Sequence, residues 1–263
     1  MNVLVFDIET VPDVVGGRRL LGLDPSLSDQ EVAEAMMALR RQSAGTDFQR
    51  LHLHRIVAIS IAADLDRHGF RVWSLGDPED DEAELIRRFF DGVERYAPRL
   101  VSWNGGGFDL PVLHYRALLH GITARRYWDS GQEDRDFRFN NYLNRFHDRH
   151  TDLMDVLAGY QARANAPLDE IATLLGYPGK MGMSGGKVWE AVQAGELGAV
   201  RDYCETDVLN TYLVWLRYQL MRGRLTPEGL QAEEGRVKEA LRGDGRPHLQ
   251  AFLAAWEGDD HGA

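Results

Sequence analysis

Cysteine is almost absent from this sequence of 263 residues: Cys204 stands alone. No intrachain disulfide can form, and no zinc cluster of several thiolates can be assembled. Its expected place is as a small core residue. Long apolar runs are missing too. Stretches such as 3–6 and 56–63 are far too short to span a bilayer, and the first residues show no basic-then-apolar signal pattern. The expectation is a soluble, cytoplasmic protein with no membrane contact. Lysine is scarce, with Lys180, Lys187 and Lys238 the three among 30 basic residues. Base composition explains that scarcity as readily as function does, so it carries no weight. The net charge of −11 argues against a protein that coats nucleic acid through a broad basic surface, but it leaves room for a local groove.

Hydrophobic residues make up 44% of the chain, enough for a sizeable core. The run 2–9 is almost continuously apolar, as a strand covered on both faces would be, and it leads to Pro12. Cap-type residues followed by good helix formers predict a helix over 28–43. Strands are expected at 55–63 and 69–75. Leu85, Ile86, Phe89, Phe90 and Val93 recur at helical spacing within 80–96, followed by a short strand over 99–103 and a helix over 108–120. Further helices are expected near 152–160, 167–175, 186–194 and 197–221. The pattern is α/β, a mixed sheet flanked by helices. Residues 1–222 read as a catalytic domain interrupted by a helical insertion over 11–50. Residues 223–263 read as an extension of one or two helices with an acidic tail.

Three short elements carry acidic residues in a suggestive arrangement. Asp7 and Glu9 lie two apart on a strand and point to one face, which suits a hard divalent cation taking oxygen ligands. An isolated pair of this kind is equally a solvated strand end. The segment Trp103-Asn104-Gly-Gly-Gly-Phe108-Asp109 passes from a buried strand through glycines into a helix start. Asp109 is there a candidate ligand or a helix cap. Tyr203 and Asp207 stand at i and i+4 on one helix face, free to address a common site or to serve ordinary packing.

Taken together, Phe6-Asp7-Ile8-Glu9-Thr10, Asn104-x-x-x-Phe108-Asp109 and Tyr203-x-x-x-Asp207 resemble the three exonuclease motifs of the DEDDy branch of the DEDD superfamily. The resemblance covers roughly residues 1–221. It is strongest to bacterial predicted exonucleases related to the proofreading domain of family B polymerases. The sister DEDDh branch has a histidine five residues before the last aspartate, where this chain has Asp202. The resemblance implies a ribonuclease H-like fold and a 3′–5′ exonuclease with two divalent ions, Mg2+ or Mn2+. It implies that Asp7 bridges them, that Glu9 and Asp207 complete one and that Asp109 serves the other. Tyr203 would orient the attacking water. It also places Thr10, Asn104 and Phe108 at the terminal nucleotide, with core packing a close rival for Phe108.

Six arginines and six aromatics interleave between Arg125 and His150, a composition that suits a single strand with stacked bases or a folded aromatic loop. Tyr142 and Arg145 are the candidates there. Lys180, in the glycine-rich stretch 178–186, is a candidate for substrate phosphates. Asp152 is expected beside the site, with helix capping as its rival role. The pairs His52/His54 and His147/His150 lack further soft ligands and read as packing or surface residues. The expected partner is the 3′ end of single-stranded DNA, with a polymerase or repair protein as a candidate companion. RNA trimming by the same chemistry and a catalytically silent scaffold stand as alternatives.

Overall fold

The computed structural model describes residues 2–65 and 69–259. Its strands are β1 (Val3–Pro12), β2 (His54–Leu65), β3 (Gly69–Ser74), β4 (Arg99–Ser102) and β5 (His150–Asp152). The helices run α1 (Val14–Leu21), α2 (Asp29–Ala44), α3 (Glu82–Tyr96), α4 (Asp109–His120), α5 (Arg125–Trp128) and α6 (Leu153–Leu157). They continue as α7 (Leu168–Leu174), α8 (Val188–Gln193), α9 (Leu197–Met221), α10 (Pro227–Gly243) and α11 (Pro247–Asp259). The strands form one sheet in the order β3-β2-β1-β4-β5. β2 and β3 pair antiparallel, as do β1 and β2, whereas β1 with β4 and β4 with β5 are parallel. This is the mixed, helix-flanked sheet of the ribonuclease H-like class.

Alternation along β1 decides which helices meet the acidic pair. Val3 and Val5 join the core under α9, α10 and α11, while Leu4, Phe6 and Ile8 join the core under α3 and α4. Asp7 and Glu9 continue the first series and so face α9. That helix is 25 residues long and buried on nearly every side, because the sheet covers one flank and α7, α10 and α11 cover others. A bulge in the β1–β2 pairing follows Glu9, where Glu9 opposes Ala58 but Thr10 opposes Ile56. Bulges of this kind bend a strand and re-aim the side chains beyond it.

α1, β5 and the single turn of α5 were not anticipated. α1 carries adjacent glycines, which depress helix propensity, yet Asp13 caps it and Gly17 lets it lie against Met36. A Cβ on Gly17 would come 2.3 Å from the Met36 sulfur. β5 is three residues long, too short for any periodicity to register, and it replaces the start of the helix expected from 152. The expected acidic tail lies largely outside the described residues. Among the described residues, no helix is long and apolar enough to cross a membrane.

The segment 11–50 is pinned to the body by a buried ionic cluster. Arg116 of α4 is 4% exposed; its Nη1 lies 2.6 Å from Asp13 Oδ2 and its Nε 2.8 Å from Glu82 Oε1. Glu82 also accepts the Ile56 amide at 2.6 Å and faces His120 Nε2 at 2.8 Å. Removing one member of such a cluster leaves charge buried without a partner. Arg116→Ala should therefore lower stability in urea unfolding by about 3–5 kcal/mol. A loss below about 1 kcal/mol, as for an exposed pair, would contradict the clamp.

Candidate active site

Parallel pairing of β1 with β4 ends at Val5, so the Ile8 amide lies beyond that ladder. Asp109 Oδ1 accepts it at 3.1 Å. Asp109 is the first residue of α4, and the turn that delivers it is tightly specified. Asn104 adopts the left-handed conformation with φ 63°, and its carbonyl accepts the Gly107 and Phe108 amides at 3.0 and 2.9 Å. Gly105 cannot be replaced without displacing Ser102, whose Oγ would lie 2.2 Å from an added Cβ. Asp152 accepts the Asn104 amide at 2.9 Å and the Gly106 amide at 2.8 Å, and it also caps α6. One carboxylate thus both holds the glycine turn and caps α6.

From the other side, α9 presents Tyr203 and Asp207, with the Tyr203 hydroxyl hydrogen-bonded to the Asp207 carboxylate. Lys180 Nζ stands 5.7 Å from the centre of the Tyr203 ring, and its charge acts on both Asp207 and Glu9. Cys204, between the two, is fully buried with its Sγ 3.6 Å from Asp7 Oδ2. Sequence reasoning saw it only as core. The signal available was its position one residue after Tyr203 on a helix that crosses β1.

Electrostatics follow from crowding. Asp7 is held well above the usual carboxylate range by burial, then by the charges of Asp109, Glu9 and Asp207. Glu9 is raised likewise by burial and by Asp207 and Asp109, with Lys180 opposing. Burial pushes Asp109 up to about 7 against the hydrogen bonds it accepts. Asp207 goes to about 6, again through burial, with Tyr203 and Lys180 opposing. Tyr203 is raised far above its ordinary value by burial and by Asp207 and Glu9. The donor set suits a hard cation. Ligand atoms of Asp7, Glu9 and Cys204 lie within 4.8 Å of one another. Burial and Asp7 hold the Cys204 thiol protonated, so the available ligands are carboxylate oxygens.

A family profile described as predicted 3′-5′ exonuclease related to the exonuclease domain of PolB matches residues 46–256. The chain belongs to this family. The match contains Asp109, Tyr203 and Asp207 and runs through α10 into α11, while β1 with Asp7 and Glu9 lies ahead of it. The family is one of 3′–5′ exonucleases by prediction. Two curated relatives share short stretches. DNA polymerase 1 of Sulfurisphaera ohwakuensis is 50% identical over 42 residues, 16% of this chain and 5% of that protein. The catalytic polypeptide of DNA polymerase epsilon from Saccharomyces cerevisiae is 40% identical over 45 residues, 17% of this chain and 2% of that protein. The chain thus matches only a small part of either polymerase.

Around the carboxylates, the other expected residues separate into two groups. Thr10 Oγ1 lies 2.9 Å from His54 Nδ1, and Phe108 packs edge-on against His54 at 5.1 Å between ring centres. Both border a cavity that also includes Glu9. Tyr142 is not available to substrate and corrects the expectation. It is 3% exposed, stacks on Tyr127 at 5.4 Å and donates its hydroxyl to the Pro98 carbonyl at 2.6 Å. Arg145 is exposed but engaged, bonded to Asp155 at 2.9 Å with its guanidinium 4.6 Å from the Tyr160 ring centre. The interleaved arginines and aromatics are thus partly a folded cluster, with Arg149 lying 4.1 Å from the Phe137 ring centre.

A carboxyl whose pKa is raised on folding binds protons more tightly folded than unfolded, so its contribution falls as pH rises between the unfolded and folded values. For Asp109 and Asp207 that window runs from the ordinary value 3.8 up to about 7 and about 6. In chelator, wild type should lose stability relative to Asp109→Asn between pH 4 and 7, by on the order of a few kcal/mol. Parallel melting curves for the two proteins across that range would contradict the crowded cluster.

Proposed function

We propose that this chain is a 3′–5′ exonuclease that hydrolyses the terminal phosphodiester of single-stranded DNA, using two divalent cations, Mg2+ or Mn2+. One observation carries the reading: three distant segments bring Asp7 and Glu9, Asp109, and Asp207 into one acidic cluster, with Glu9 and Asp109 buried and Asp7 and Asp207 half-buried, close enough for their charges to oppose one another. Such a set is suited to hold cations that offset its charge. Asp7, which feels all three other carboxylates, is read as shared between two ions. Glu9 and Asp207 would complete one, and Asp109 would serve the second.

When bound, the cations supply positive charge at the scissile phosphate and lower the pKa of water. The protein groups do the rest. Tyr203 is held protonated, so its hydroxyl would orient the attacking water through a hydrogen bond rather than remove its proton. Lys180 is read as meeting a phosphate oxygen, and Thr10, Asn104 and Phe108 as positioning the terminal nucleoside. The released product would be a nucleoside 5′-monophosphate. Arg145 is kept as a contact for the strand further from the end.

DNA is favoured as the polymer because the two relatives described above are named as DNA polymerases. Action in the cytoplasm beside a polymerase or repair protein fits the same reading. Residues 1–222 are read as the catalytic unit and 223–263 as its buttress. Contacts of Arg246 and His248 with Glu205, at 2.6 and 2.9 Å, support that division of labour, since Glu205 lies between Tyr203 and Asp207.

With 5′-labelled single-stranded DNA and RNA and either Mg2+ or Mn2+, wild type should shorten DNA stepwise from the 3′ end. Asp7→Asn and Asp207→Asn should each lose ~10^3-fold in kcat, the size of several kcal/mol of charge stabilisation. Tyr203→Phe should lose ~10-fold, the size of one oriented hydrogen bond. A folded Asp7→Asn protein with near wild-type turnover would overturn the assignment, and faster loss of RNA than of DNA would move the polymer.

A further inference from the structure

A cavity of about 440 Å3, within the range of small-molecule sites, lies at the end of the sheet away from the acidic cluster. β1 and β4 begin at its wall with Val3 and Arg99, which are partners in the parallel ladder. Asp7 is four residues further along β1, about 13 Å away. α9 reaches the same cavity with Trp215 and Gln219, roughly two and three turns beyond Asp207.

Hydrogen bonding at this cavity is incomplete. Among the described residues, four buried side-chain nitrogens have no partner, and two of them, Trp215 Nε1 and Gln219 Nε2, belong to residues that line it. The two residues are 0% and 2% exposed and stand one helical turn apart on a single face. A buried N–H with nothing to donate to costs folding free energy, so an acceptor from outside the chain is the natural complement.

Its charge runs against that of the molecule. Arg99, Arg149 and Arg224 line the cavity against a single acid, Asp148, in a chain of net charge −11. Asp148 is already shared by Arg99 and Arg222, at 3.8 and 3.5 Å. Arg149 is fixed in place, donating Nε to the Asn140 carbonyl at 3.0 Å and Nη1 to the Ala97 carbonyl at 3.1 Å. Arg224 is exposed and makes no ion pair among the described residues. Guanidinium groups beside buried N–H donors suit a phosphate, whose oxygens accept several charge-assisted hydrogen bonds at once. The volume leaves room for more than the phosphate itself.

We propose that this cavity is an anion site that takes a phosphate group, free or carried by a mononucleotide. The three arginines supply charge, and Trp215 and Gln219 supply the buried donors. The inference stands on this cavity alone and does not depend on the exonuclease reading.

The test titrates the metal-free full chain, whose four clustered carboxylates keep anions away from the acidic site, with inorganic phosphate, deoxyadenosine 5′-monophosphate and deoxyadenosine. Binding is followed by calorimetry and by the indole N–H resonances of isotope-labelled protein. Phosphate and the nucleotide should bind, and the nucleoside should not. The indole resonance that vanishes in Trp215→Phe should shift on binding. Arg99→Ala and Arg224→Ala should each weaken affinity ~10-fold, the size of one hydrogen bond to a charged group. Gln219→Met should also weaken it while leaving the unliganded melting temperature unchanged or higher, since the amide it removes has no partner there; a purely structural glutamine would lower that temperature. Tighter binding of the nucleotide than of phosphate would identify the nucleotide as the source, and equal binding would identify free phosphate. No binding of either anion, binding untouched by Arg224→Ala, or an unmoved Trp215 resonance would overturn the site.

Discussion

Mutual repulsion among four clustered carboxylates, two buried and two half-buried, is the constraint that organises this molecule. Asp7 sits at its centre, raised by burial and by each of the other three. Left to relax, such groups would turn outward to solvent or take up protons. The scaffold prevents the first: Asp7 and Glu9 are fixed by the alternation of a central strand, and Asp109 is tied to the Ile8 amide of that strand. Asp207 is carried by a helix buried on almost every side. Local order is therefore obtained from packing and hydrogen bonds, and the unfavourable charge is left for a cation to offset.

Holding α9 against β1 requires more than apolar contact. Glu205, one helical position beyond Cys204, is 4% exposed and accepts from Ser74 Oγ at 2.9 Å as well as from Arg246. Ser74 in turn meets Ser60 at 2.9 Å, and Ser60 is the β2 partner of Asp7. A continuous polar chain thus links the C-terminal helices to the strand position that bears the central carboxylate. Glu205 is the acceptor that Ser74, Arg246 and His248 share, so the chain restricts how α9 can sit on the sheet.

Much of this was legible in the sequence, for reasons that differ by element. β1, α3 and α9 announce themselves through long apolar patterns, and the acidic residues were picked out because three weak motifs recur in a fixed order. What stayed hidden depends on distance in the fold. α1 is built around glycines whose purpose, the approach to Met36, lies in another helix. Tyr142 looks like a nucleic-acid contact by composition, and only its stack on Tyr127 and its bond to Pro98 reveal a core residue. Phe48 drew no notice, because nothing near it in the chain says that His54 and Phe108 lie beside it.

Calorimetric titration of the metal-free protein with Mn2+ near pH 6.5, in buffers of different ionisation enthalpy, tests the repulsive cluster most directly. Carboxyls held protonated by crowding must release protons when cations enter, so the expected result is binding with net proton release that disappears when Asp109→Asn is combined with Asp7→Asn. Absence of Mn2+ binding, or binding with no proton release in the wild type, would contradict the account.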